Sequence, residues 1–187
     1  MIYFIGGAPR VGKSSLTQRL AAKLQIGWIS TDLLIDLLRT KGDVAIKQQW
    51  DAAPEAIKAA AEFFFPYLER FVWGVNSMAD GYIIEGVDFL PAQIAQISVH
   101  YATRSLFLGC SQLTLEQFDQ FPGRSRGYAA LPEELRRRIV QDVPQWSDFV
   151  RQEAQQFGYP YLDMSGDFLL SLHEAETILT QAINPPH

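Results

Sequence analysis

Ile2-Tyr3-Phe4-Ile5-Gly6-Gly7-Ala8-Pro9-Arg10-Val11-Gly12-Lys13-Ser14-Ser15 is the stretch from which the rest of the chain can be read. Ile2 to Ile5 form a short apolar run stopped by glycines, the pattern of a buried parallel strand. From Gly7 to Ser14 the residues satisfy G-x-x-x-x-G-K-[ST] at every fixed position. Leu16, Leu20, Ala21 and Leu24 then recur at helical spacing and predict a helix over residues 14–24. Strand, glycine turn and helix in that order are the context in which this motif binds phosphate. Glycines let successive amides curl toward one anion, and the helix adds the positive end of its dipole. Gly7, Ala8, Pro9, Arg10, Val11, Gly12, Lys13, Ser14 and Ser15 are therefore the expected nucleotide-binding positions. Lys13 would neutralise the outer phosphates, and the Ser14 hydroxyl would ligate Mg²⁺ bridging them, with ATP as the donor.

Further along, residues 27–30 read as a second strand, followed by a helix with Leu34, Leu37 and Leu38 inward and Thr31 or Asp32 as its cap. Pro54 suits the first turn of a long helix reaching about Ala79, with Asp80-Gly81 as its stop. Tyr82-Ile83-Ile84 is a third strand, Pro91 opens a short helix, residues 105–108 are a fourth strand and 160–162 a fifth. A last helix is expected over residues 167–182. Strands alternating with helices predict an α/β three-layer sandwich around a five-stranded parallel sheet. Ligands of such sheets bind at the carboxyl ends of the strands. The chain is read as a single domain, residues 1–187, with a mobile lid around residues 122–138.

The 187 residues carry 48% hydrophobic and 20% charged side chains, an ordinary globular balance. Sixteen basic against twenty-one acidic residues give a net charge of −5, a poor footprint for a nucleic-acid partner. Cys110 is the single cysteine, so neither an intramolecular disulfide nor a thiol-based zinc site can form. The apolar run Phe63-Phe64-Phe65, expected as core on the long helix, ends at Pro66, and no apolar run is long enough to span a bilayer. The expectation is a cytoplasmic protein with no membrane partner. Trp28, Trp50, Trp73 and Trp146 are expected to pack, and His100, His173 and His187 are too scattered for a metal cluster.

Several residues outside the glycine turn are placed to do chemistry. Asp32 follows the second strand, where a carboxylate can orient an acceptor hydroxyl and take its proton. Helix capping is its structural alternative. Glu85 follows the third strand and can hold Mg²⁺ or the acceptor, and Asp88 lies in the same turn. Two acids beside a triphosphate are costly unless a cation or a donor-rich substrate separates them. Arg124 and Arg126 lie in a glycine-flanked basic loop and could clamp the transferring phosphoryl group. Arg136-Arg137-Arg138 point in different directions on the next helix, so a solvated face explains most of that run.

Taken together, the chain resembles the P-loop kinases, and within them the group related to 2-phosphoglycerate kinase. The segments that carry the likeness are residues 7–14, Ile29-Ser30-Thr31-Asp32 with Arg39 beyond it, and Ile83-Ile84-Glu85-Gly86-Val87-Asp88-Phe89-Leu90-Pro91. The resemblance implies a five-stranded parallel core, an ATP-Mg²⁺ donor and an arginine-bearing lid. It departs at two positions: Asp88 stands where the group has His, and Ile35 where it has Arg. Arg39 is left as a candidate for holding a phosphorylated acceptor, while an acid at position 88 suits an acceptor bearing hydroxyl or amine donors.

The expected function is an ATP-dependent small-molecule kinase acting on an acceptor hydroxyl or phosphate, a 2-phosphoglycerate-like acid among the candidates. A nucleoside monophosphate kinase and a non-catalytic nucleotide-binding module are the alternatives.

Overall fold

β1 (Ile2–Gly7) lies at the centre of a five-stranded sheet of order β2-β3-β1-β4-β5, in a computed structural model that describes residues 1–39, 52–120 and 131–181. The other strands are β2 (Gly27–Ser30), β3 (Tyr82–Glu85), β4 (Thr103–Gly109) and β5 (Tyr161–Asp163), all paired in parallel. A central strand is covered on both faces, and Ile2, Phe4 and Ile5 are accordingly buried. β1 runs two residues beyond its apolar stretch. Gly6 and Gly7 stay in the ladder because β4 offers Phe107 and Leu108 as their register partners.

The helices are α1 (Lys13–Leu24), α2 (Thr31–Arg39), α3 (Pro54–Met78), α4 (Pro91–Ser98), α5 (Leu115–Gln120), α6 (Glu133–Gln156) and α7 (Phe168–Thr180). α1 packs with α7, while α6 packs on β4 and α4, and α4 meets α3. Right-handed crossovers from this strand order put the first pair on one face and the others opposite. The result is the expected three-layer α/β sandwich.

α3 buries Ile57, Ala61, Phe64, Leu68 and Val72, one stripe at helical spacing. Pro66 sits inside this helix on its exposed face, away from the stripe. Phe63 is therefore not core: the stripe takes Phe64, and Phe63 lies outside against Tyr67, their ring centroids 5.7 Å apart. Leu37 is likewise exposed, because α2 turns Ile35 into the core instead. Among the tryptophans, Trp146 packs. Trp28 is half-exposed on the edge strand β2, Trp73 is exposed under the Arg70 guanidinium, and Trp50 lies outside the described residues. Cys110 is buried, and burial pushes its thiol pKa up. No helix among the described residues is long and apolar enough to cross a membrane.

Candidate active site

The glycine turn joins the carboxyl end of β1 to α1, and its shape depends on close backbone approach. Ala8 N donates to Leu108 O at 3.0 Å, so β4 holds the start of the turn. Gly7 has φ 126°, and a Cβ there would lie 1.9 Å from the same carbonyl oxygen. Gly12, at φ 90°, immediately precedes α1, whose first turn carries no acidic residue. The positive end of the helix is thus left for an external anion. Arg10 adopts φ 68°, and its guanidinium stacks on the Phe118 ring of α5 at 4.4 Å. The side chain leaves the turn, so its contribution to phosphate would come through the backbone.

Lys13 is only 7% exposed, and its Nζ donates to Ala8 O at 2.7 Å. Burial lowers its pKa from the ordinary lysine value, while the carboxylates of Glu85, Asp32 and Asp88 oppose that shift. All three acids are therefore close enough to act on this ammonium. Ser14 Oγ donates to Glu85 Oε1 at 3.0 Å. Glu85 itself is buried at the end of β3, level with Ile5 of β1 and Ser30 of β2. One hydroxyl and one carboxylate side by side are hard oxygen donors. They fit Mg²⁺, which takes few protein oxygens and completes its shell with phosphate and water. Among the described residues no cluster of three or more His, Cys, Asp or Glu could hold a metal unaided.

β2 passes directly into α2, and Thr31 is the first helical residue. Its hydroxyl is fully buried and donates to Asp88 Oδ2 at 2.5 Å, so Thr31 does not cap the helix. Asp32 is exposed in the first turn, where its charge also suits the helix dipole. Gly86 is what lets the two segments meet: a Cβ there would lie 1.8 Å from Thr31 Oγ1. Burial pushes the Asp88 carboxyl up to about 6, against the Thr31 hydrogen bond. Asp32 adds to that rise, and Lys13 and Arg39 counter it. Arg39 Nη1 donates to Asp36 Oδ1 at 2.7 Å, and Ile35 is buried in the core.

Arg124 and Arg126 lie outside the described residues. The following arginines are engaged locally: Arg136 with Asp119 of α5, Arg137 with Glu133 at 2.6 Å, and Arg138 with Asp142 at 3.5 Å. The structure thus gathers Lys13, Ser14, Glu85, Asp32 and Asp88 at one end of the sheet. It gives Thr31, expected as a helix cap, a place beside Asp88, and adds two residues that the sequence did not single out: Phe118, and Phe168, whose ring lies 2.7 Å from where a Cβ on Gly12 would sit. A signal for α5 was present in Thr114-x-x-Gln117. The Gln117 amide donates to Thr114 Oγ1, and the Thr114 amide to Gln117 Oε1, a reciprocal capping box.

No protein-family model matches the chain, and no curated protein matches it in sequence. Solved structures do match in shape. A shikimate kinase from Bacteroides thetaiotaomicron superposes with TM-score 0.53 at 16% identity, over 97% of this chain and 99% of the other. A deoxyadenosine kinase from M. mycoides superposes with TM-score 0.50 at 11% identity, over 94% and 96%. The five-stranded parallel sheet, its flanking helices and the glycine turn make this an α/β chain with the fold of the P-loop kinases.

Proposed function

We propose that the protein is a small-molecule kinase that transfers the γ-phosphoryl group of ATP to an acceptor hydroxyl. The observation that carries this reading is the convergence on one sheet end of buried Lys13, the Ser14–Glu85 pair and exposed Asp32. The first three suit a Mg²⁺-nucleotide, and the last suits an acceptor. The names of the structural neighbours, both kinases, support the same class.

In this reading ATP binds over residues 7–15, with the backbone amides from Arg10 onward cradling the phosphates, and Lys13 turns from Ala8 O to the outer phosphate oxygens. Ser14 and Glu85 would hold Mg²⁺, which supplies charge neutralisation between the outer phosphates when bound. Asp32 accepts the proton of the acceptor hydroxyl as the new O–P bond forms. The bond from Pγ to the bridging oxygen breaks, and ADP leaves. Arg124 and Arg126, in a lid over residues 122–138 of a single catalytic domain, would stabilise the charge on the moving group. A cytoplasmic setting belongs to the same proposal.

The test is Mg²⁺-dependent ADP release with a panel of acceptors that includes 2-phosphoglycerate, nucleosides and nucleoside monophosphates. Release stimulated by one acceptor and lost in Lys13→Ala is the expected result. Firm ATP binding with no stimulated release would replace the kinase by a nucleotide-binding module. Stimulation by 2-phosphoglycerate or by a nucleoside monophosphate would assign the chain to one of those narrower classes.

A further inference from the structure

Position 10 of the glycine turn is one that the motif leaves open to any residue, and here an arginine fills it in left-handed backbone. Among the described residues only Arg10 and Gln25 combine a side chain with positive φ, and Gln25 closes α1, where a left-handed cap is ordinary. Arg10 has φ 68° and Gly12 φ 90°, with Val11 between them outside that region. Alternation of this kind turns successive amides toward one centre, the concave nest that holds a phosphate. For a residue with a Cβ the left-handed region is disfavoured by roughly 5- to 30-fold, and for glycine by almost nothing. A turn that places arginine there needs something to hold it.

α5 supplies the attachment. The Arg10 guanidinium carbon lies 4.4 Å from the Phe118 ring centroid, and Nη2 donates to Phe118 O at 3.4 Å. Phe118 is only 2% exposed, so its ring is a fixed surface. The helix that carries it is held at both ends: Thr114 and Gln117 cap its start, and Asp119 pairs with Arg136 of α6. A guanidinium stacked on an aromatic face contributes about as much as the left-handed backbone costs. We infer that Phe118 is a positioning residue for phosphate binding. Through the Arg10 side chain it keeps residue 10 left-handed, so the nest is formed before a nucleotide arrives. The inference rests on the proposed nucleotide site and uses only its anion-binding half; phosphoryl transfer does not enter it.

The experiment compares side chains at the two positions. Binding of a non-hydrolysable ATP analogue with Mg²⁺ to full-length protein is measured calorimetrically, beside a thermal melt of each variant. Phe118→Leu keeps the core filled and removes the ring face, whereas Arg10→Ala removes the guanidinium and leaves α5 intact. Each should weaken binding by ~5- to 30-fold, since apparent affinity falls with the fraction of chains that hold the competent turn. Together they should weaken it no more than either alone, because both cut the same link. Adding Arg10→Gly to Phe118→Leu should recover ~5-fold or more of the loss, because glycine takes the left-handed conformation unaided. That recovery separates positioning from packing, since a cavity or shift in α5 would not be repaired by trimming residue 10. With α5 untouched, Arg10→Gly should bind ~5-fold or more tighter than Arg10→Ala.

Unchanged binding in Arg10→Ala or in folded Phe118→Leu, additive losses in the double variant, or no recovery with Arg10→Gly would overturn the inference. A further loss with Arg10→Gly would overturn it in favour of a guanidinium that touches phosphate directly. Failure of the wild-type protein to bind the analogue would remove the nucleotide site and the inference together. Firm binding with the expected pattern, but without ADP release from Mg²⁺-ATP, would leave the inference standing and remove the kinase reading.

Discussion

Ser14 Oγ lies 3.0 Å from Glu85 Oε1, although the two residues belong to elements 71 positions apart. The hydroxyl lies in the first turn of α1, and the carboxylate closes β3, which pairs directly with β1, the strand that leads into the glycine turn. A hydrogen bond of this kind holds two hard oxygens in place before any cation arrives, so the cost of organising them falls on folding and not on binding. In Glu85→Gln the hydrogen bond to Ser14 can persist while the negative charge is lost. The Mg²⁺ concentration for half-maximal ADP release should rise ~10- to 100-fold. A Mg²⁺ titration of the assay, beside ATP binding measured without metal, checks this.

Lys13 carries its charge in a buried place, and its lowered pKa means that the fold disfavours the protonated form. The sign follows directly. At neutral pH the buried ammonium subtracts from stability, and the deficit shrinks as pH rises from the lowered value toward the ordinary lysine value. Lys13→Met should therefore melt at the same temperature as wild type or higher at pH 7 without nucleotide. Its turnover should fall by ~10²- to 10³-fold, the scale of losing one preorganised charge donor. Scanning calorimetry and steady-state kinetics on one preparation decide both halves.

Asp88 has its carboxyl pushed up to about 6 by burial. Between the ordinary aspartate value and about 6, the unfolded chain has lost this proton while the folded chain retains it. Stability from this group is therefore present at low pH and declines as pH rises through that window. Asp88→Asn, which cannot ionise, should gain melting temperature relative to wild type at pH 8 and lose that advantage near pH 4. Equal differences at both pH values would rule out this titration.

Gly86 sits where a methyl group would collide with Thr31 Oγ1 at 1.8 Å and Thr31 Cβ at 2.8 Å. Thr31 is fully buried, so it cannot swing aside. Gly86→Ala should cost ~1–3 kcal/mol, the usual range for overpacking a tight site. Urea denaturation measures it. The same variant should weaken acceptor binding more than ATP binding, because the β2–α2 junction moves while the glycine turn is anchored separately on Leu108.

The glycine turn was legible in the sequence because its constraint is local: four fixed residues between a strand and a helix determine the backbone path. The sheet followed from apolar runs punctuated by glycine and proline, and the five strands fall within two residues of their expected places. Positions of acids at strand ends were also legible, since topology alone puts Glu85 and Asp32 at the carboxyl edge. What the sequence hid was which partner each polar group takes. Thr31 reads as a helix cap from its neighbours, and only the approach of residue 88 reassigns its hydroxyl. Arg10 reads as a phosphate ligand, and only the packing of α5 reveals Phe118 beneath it. Three consecutive phenylalanines read as core, yet a helix can turn only one of them fully inward.

The anchoring of the glycine turn on β4 also sets when the site can come into being. Ala8 depends on Leu108, a hundred residues later in the chain, and β1 pairs with β3 and β4 and with neither terminal strand of the sheet. During synthesis the phosphate-binding segment leaves the ribosome first; β3 gives β1 a neighbour, but the turn itself lacks its anchor until β4 has followed. Long-range parallel pairing of this kind is slow. Nascent chains that stop short of Gly109 should therefore fail to retain ATP, even though every residue of the motif is already made.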